Sequence, residues 1–276
     1  MSTAVVHPAD GVGRVELDAV SMRFRSPKGK EVIALAPTSL ALAPGSFSAL
    51  LGPSGCGKST LLNAIAGFVD PGSGTIKVDG KTVRGPDPDV GVMFQQYALF
   101  PWFTAIGNVQ FAMNRFGLAR AERRRQALAA LEEVGLADRA DTYPGQLSGG
   151  MKQRVALART LAGKPKVLLM DEPFGALDAQ TRTSMHELLL GIWDRHRTTV
   201  LFVTHDVDEG LLLSDCVHVM SANPGTIIES IRVDAARPRS VRTVDERFIA
   251  NRNRIMQLLS RTPDPEPVVP AQAGTK

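Results

Sequence analysis

Only two cysteines occur among the 276 residues, Cys56 and Cys216. No disulfide framework can hold such a chain, and this cysteine usage suits a reducing compartment. Long apolar runs are also missing: no stretch approaches the roughly 18 residues needed to span a bilayer. The start, "MSTAVVHPADGVG", lacks the basic segment and apolar core of a secretory signal. The chain is therefore expected neither to enter nor to cross a membrane by itself. No charge sign dominates, since 32 basic residues stand against 28 acidic ones, scattered apart from Arg123-Arg124-Arg125 and the arginines of the tail. That pattern reads as a solvated surface, and no nucleic-acid partner is expected. The absence of long-period repeats excludes solenoid folds. With 43% hydrophobic residues, the chain has enough apolar material for one large domain or two small ones.

Short apolar runs separated by Gly and Pro ("RVELDAV", "SFSALLG", "GTIKVDG") predict early strands joined by tight turns. A helix is expected through "TLLNAIAGF". From Pro101 to about Tyr143 the pattern turns helical, with Leu128, Leu131 and Val134 along one face. After this insert come a strand, "KVLLMDEP", a helix from about Asp178 to His196, and another strand, "TTVLFVTH". Such alternation argues for a parallel sheet with crossover helices, hence an α/β domain carrying a helical subdomain. Beyond Pro224 the chain becomes arginine-rich, with one amphipathic candidate in "FIANRNRIMQLL". The final stretch, "TPDPEPVVPAQAGTK", is expected to be disordered.

"GPSGCGKS" fits G-x-x-x-x-G-K-[ST], fed by the apolar "FSALL" and followed by a helix. The loop Gly52, Pro53, Ser54, Gly55, Cys56 and Gly57 would turn its backbone N–H groups, present at all but the proline position, around phosphate oxygens, and the helix N-terminus at Lys58, Ser59 and Thr60 adds favourable partial charge. Lys58 would reach the β- and γ-phosphates, and the Ser59 hydroxyl would ligate Mg²⁺. "VLLMDEP" supplies a buried strand ending at Asp171, a second oxygen ligand for the metal. Glu172, next in the chain, could deprotonate the attacking water. A second glycine-rich stretch, "LSGGMKQR", could be another anion site at a helix N-terminus, or an ordinary N-cap formed by Ser148.

With these motifs the chain resembles the ATPase subunits of ATP-binding cassette (ABC) transporters. The motifs stand in the family's order: the phosphate loop Gly52 to Thr60, a glutamine in "VMFQQYALFPW", the signature "LSGGM", Asp171-Glu172, "GALD" and "VTHD". The resemblance implies a P-loop NTPase core with an N-terminal antiparallel β-subdomain and an inserted helical subdomain. It places the ATPase domain at 14–222, the helical subdomain at about 98–150 and a C-terminal extension at 223–276. In this family two ATPase domains pack head to tail, with each ATP between one phosphate loop and the other's signature. The resemblance therefore implies that Ser148, Gly149 and Gly150 contact the partner's nucleotide and that Asp178 lies across the interface. By the same carry-over Gln95 touches Mg²⁺ and the attacking water, and His205 holds the γ-phosphate and Glu172 in register. Phe24 aligns with the aromatic residue that stacks on adenine, usually a tyrosine; a phenylalanine keeps the π-face. Met151 stands where the family usually has glutamine, which leaves the backbone contacts untouched.

An ATPase of this family without a spanning segment needs its permease in another chain. The aromatic "YALFPWFTAIGNVQF" aligns with the groove that receives a permease, with Phe100, Pro101 and Trp102 as candidate contacts. "FPW", "MDEPFGALD", "NPG" and "RPR" look most like nitrate, sulfonate and taurine importer ATPases. The implied protein is a peripheral subunit on the cytoplasmic face of the cell membrane, paired as a homodimer and served indirectly by an extracytoplasmic binding protein. The alternative is a non-transport ABC ATPase acting on nucleic acid or ribosomes. Such proteins need a long coiled-coil insertion or tandem cassettes, and neither is present in the sequence.

Overall fold

Strands buried on both faces read as continuous apolar runs, and three of these build the centre of the molecule: β3 (Phe47–Leu51), β7 (Val167–Asp171) and β8 (Thr199–Thr204). The computed structural model describes residues 12–25, 31–235, 237, 239 and 245–260. In it these strands join β6 (Val90–Met93), β9 (Cys216–Ser221) and β10 (Thr226–Arg232) in a six-stranded sheet of order β10-β9-β3-β8-β7-β6. All neighbours are parallel except β10, which runs antiparallel to β9.

Alternation along these strands feeds two separate cores. Ala49, Leu51, Leu168, Met170, Val200 and Phe202 face one side, and Leu50, Val167, Leu169, Leu201 and Val203 face the other. The second core is closed by α1 (Lys58–Ile65) and by an antiparallel sheet of order β2-β1-β4-β5, formed by β1 (Val15–Arg25), β2 (Glu31–Leu42), β4 (Ser73–Val78) and β5 (Lys81–Thr82). The first core receives α2 (Ala105–Ala112), α3 (Arg120–Glu133), α4 (Gly149–Ala162), α5 (Ala179–His196), α6 (Val207–Leu213) and α7 (Glu246–Ser260). The expected architecture is the one adopted: a parallel core, an antiparallel β-subdomain and an inserted set of helices.

One local expectation needs correction. Leu128 does not share the buried face of Leu131 and Val134: it is 39% exposed, while Ala127 takes its place with no exposure. α3 packs against both α2 and α4, and the 127, 131, 134 spacing (i, i+4, i+7) is the row that points between them. β10 pairs antiparallel with β9 and continues the core sheet beyond Ser221. The amphipathic candidate in the tail is α7, which buries Ile255 and Leu258. The chain's start and its final stretch lie outside the described residues.

Candidate functional site

The site is assembled by strand register. Gln95 lies just past β6, Glu172 just past β7 and His205 just past β8, and these three strands are parallel neighbours with Met93 opposite Met170 and Asp171 opposite Val203. β3, the other neighbour of β8, delivers the glycine-rich loop. Residues far apart in the chain thus emerge at the carboxyl end of one sheet, where open α/β sheets bind ligands.

Gly57 caps α1 at φ 95°, and a side chain there would come within 3.0 Å of the Ala34 carbonyl oxygen. Gly52 is constrained by space, since a Cβ would stand 2.7 Å from Cys56 Sγ and 2.9 Å from the Met220 carbonyl oxygen. The loop is therefore packed tightly from behind. Lys58 is only 7% exposed, and its Nζ donates to the carbonyl oxygens of Gly52 at 2.7 Å and Pro53 at 2.8 Å. Burial pushes the Cys56 thiol up, partly offset by the Lys58 charge 3.7 Å away, so Cys56 packs the loop as a neutral thiol.

The Ser59 hydroxyl donates to Asp171 Oδ1 at 3.1 Å, joining the start of α1 to the end of β7. Burial raises the Asp171 carboxyl above its usual range; the Glu172 charge adds to this, while the Ser59 bond and Lys58 oppose it. The pair is short of positive charge and offers hard oxygen donors, which suits Mg²⁺. Among the described residues no group of three or more His, Cys, Asp or Glu could hold a metal unaided.

Glu172 sits at φ 43°, a left-handed conformation that is costly for a non-glycine residue and is held here by its amide donating to the Val203 carbonyl. Its Oε2 accepts from Gln95 Nε2 at 3.4 Å, and its Oε1 stands 3.6 Å from His205 Nδ1. The His205 side chain is 67% exposed, leaving this carboxylate–imidazole pair open to a ligand. Gln153, missed in the sequence, is 1% exposed and donates to the Pro173 carbonyl, pinning the turn after Glu172 to α4. Its position five residues after Ser148, on the buried face of α4, was the available signal.

Ser148 caps α4, its hydroxyl accepting from the Met151 amide at 3.3 Å. A Cβ on Gly150 would strike Thr181 Cγ2 at 2.6 Å, and one on Gly149 would meet the Tyr97 hydroxyl at 3.0 Å. The signature turn thus lies against the first turn of α5, which Asp178 caps by accepting from the Thr181 amide at 3.0 Å. That amide bond holds the Asp178 carboxyl below its usual range. Among the described residues no hydrogen bond joins residues 148–150 to the phosphate loop. Phe24 lies on β1, 43% exposed and paired in register with Val32, two residues before Ala34, whose carbonyl faces Gly57 of the loop.

The aromatic segment forms a knot. Phe100 contacts Trp102 at 5.6 Å and Phe111 at 4.6 Å between ring centroids, and Trp102 is 67% exposed. Asn108, fully buried, fixes this loop: it accepts from the Phe100 amide at 2.9 Å and donates to the carbonyls of Phe100, Phe103 and Thr104, each at 3.1 Å.

Residues 35–175 match the family model described as "ABC transporter". A taurine import ATP-binding protein of Chromobacterium violaceum is 46% identical over 246 residues, covering 87% of this chain and 93% of that protein. A nitrate import ATP-binding protein of Synechocystis is 48% identical over 220 residues, covering 80% of this chain and 82% of that protein. Among solved structures, a dimeric ATP-binding cassette in a post-hydrolysis state, bound to ADP and Pi, superposes with a TM-score of 0.71 at 31% identity, covering 80% of this chain and all of that one. The loop, the paired carboxylates and the signature turn thus sit in a fold shared with proteins of one kind, and the chain belongs to the ATP-binding cassette family of transport ATPases.

Proposed function

We propose that this chain is the ATP-hydrolysing subunit of an import complex, driving uptake of a small solute of the nitrate, sulfonate or taurine-like class through a separate permease. The observation that carries the catalytic part is the placement of Glu172 between Gln95 and His205, one residue beyond the Asp171–Ser59 pair. The substrate class rests on the printed activities of relatives at 46% and 48% identity.

Lys58 would exchange its loop carbonyls for the β- and γ-phosphate oxygens, while the amides of residues 54–60 and the N-terminus of α1 cradle the rest. Ser59, Asp171 and Gln95 would hold Mg²⁺, which when bound neutralises phosphate charge. Glu172 is the general base: it takes a proton from water as the water oxygen bonds to the γ-phosphorus and the bond to ADP breaks, giving ADP and Pi. His205 orients Glu172 and the γ-phosphate, and Phe24 stacks on adenine. Ser148, Gly149, Gly150 and Asp178 would act on nucleotide held by a second copy, so that hydrolysis is tied to dimer opening.

The permease contact is assigned to Phe100, Pro101 and Trp102, an exposed aromatic edge held rigid by Asn108. The chain then works as a peripheral subunit on the cytoplasmic face of the membrane, with 14–222 as the ATPase unit, about 98–150 as its helical subdomain and 223–276 as an extension. Glu172→Gln tests the catalytic reading. ATP binding should persist while turnover nearly stops, and normal turnover would overturn it.

A further inference from the structure

Behind the exposed His205 lies a buried carboxylate that the chemistry above does not use. Glu209, on α6, is 6% exposed, and each of its oxygens is taken by a different element. Oε1 accepts from His186 Nε2 of α5 at 2.8 Å, and Oε2 accepts from the Thr204 hydroxyl at the end of β8. The same hydroxyl accepts the Asp206 amide at 3.1 Å, and Asp206 Oδ1 in turn accepts the Glu209 amide at 3.0 Å. The residues on both sides of His205 are therefore tied, directly or through one hydroxyl, to Glu209.

α5 supplies two further ties. His186 stands edge-on to Phe174 at 4.7 Å, two residues after Glu172, and Phe174 is 2% exposed. One turn earlier, Arg182 donates to the Leu177 carbonyl at 3.1 Å and places its other terminal nitrogen 3.9 Å from Asp206 Oδ2. One face of α5 thus reaches both strand-end turns, the one carrying Glu172 and the one carrying His205. Burying a carboxylate is costly, and this one is satisfied only by groups that shape those turns.

We propose that Glu209 is a positioning residue for ATP hydrolysis: bridging His186 and Thr204, it fixes the backbone that presents His205 to Glu172 and so acts on turnover through His205. The inference rests on the roles given above to Glu172 and His205. It predicts that loss of Glu209 lowers kcat and leaves nucleotide affinity nearly unchanged, because the phosphate loop hangs from different strand ends.

The test measures Mg²⁺-dependent ATP turnover and ATP affinity of the full chain for Glu209→Ala and Glu209→Gln, each alone and with His205→Ala, using excess enzyme so that slow rates are read. Glu209→Ala should lower kcat at least about tenfold with KM within about twofold, and Glu209→Gln, which keeps an acceptor oxygen, should recover most of that loss. In the His205→Ala background Glu209→Ala should cost nothing further, since residues acting as one unit are not additive. If Glu209→Ala fails to fold, Thr204→Val, which removes the hydroxyl at nearly constant volume, carries the same prediction. Unchanged kcat, or the same fold-loss with and without His205, overturns the positioning role alone. Full turnover in His205→Ala itself would instead remove the role assigned to His205, and this inference with it.

Discussion

Two glycine-rich turns open two helices in this chain, and they are completed to different degrees. The phosphate loop is finished in place: Lys58 is buried against its own loop carbonyls, and Ser59 already reaches Asp171. The signature turn has its helix cap, but Ser148 and Gly149 are exposed and their neighbours come from Tyr97 and Thr181 rather than from any phosphate-binding group. Identical local physics, backbone N–H groups at a helix N-terminus, therefore gives a complete half-site in one place and an open one in the other. The open half is what a second copy would fill.

The largest effect expected from breaking this contrast falls on the completed side. Glu172→Gln should cut ATP turnover by about 10²–10⁴-fold, the usual worth of a general base, with ATP still bound; a steady-state assay paired with a binding titration checks both. Next comes the open side. Gly149→Val should lower turnover at least about tenfold while single-chain ATP affinity stays within about twofold. Lys58→Ala should show the reverse signature, with affinity itself falling at least about tenfold, or about 1.4 kcal/mol. If the Gly149 variant lost affinity as Lys58→Ala does, the two turns would serve the same chain's nucleotide.

Smaller effects sharpen the contrast in stability. Ser148→Ala removes an N-cap worth about 1 kcal/mol, or about 2–4 °C of Tm in a domain of this size. Asp171→Asn should move Tm the other way. Its folded pKa lies above the unfolded one, so its penalty is fully present above the folded value and gone below the unfolded value. The variant should gain at most about 2 °C at neutral pH, kept small by partial exposure, and the gain should fade as pH falls through the carboxylate range. Thermal melts without nucleotide at several pH values measure both.

The phosphate loop, the Asp171-Glu172 pair and the strands that carry them were legible because each is contiguous and its period or spacing is local. Ser148 as a cap was legible for the same reason. What escaped reading depends on how the turns fold: Gln153 on the Pro173 carbonyl and Glu209 on His186 join distant segments, while Asn108 on the aromatic loop and Glu209 on Thr204 close turns within a few residues. No period or spacing in the chain marks these pairings. Leu128 was misplaced because adjacent positions of a helix differ by about 100° and only the packing of α2 and α4 chooses between them. β10 lies in the arginine-rich stretch beyond Pro224, and only its pairing with β9 joins it to the core sheet.

The central claim is that the two glycine-rich turns of different copies share one ATP. Light scattering on purified Glu172→Gln, with and without ATP and Mg²⁺, addresses it directly. The account predicts monomer without nucleotide and dimer with it, because the uncleaved nucleotide holds the open turn of one copy against the completed loop of the other. A protein that stays monomeric with ATP demonstrably bound would contradict it.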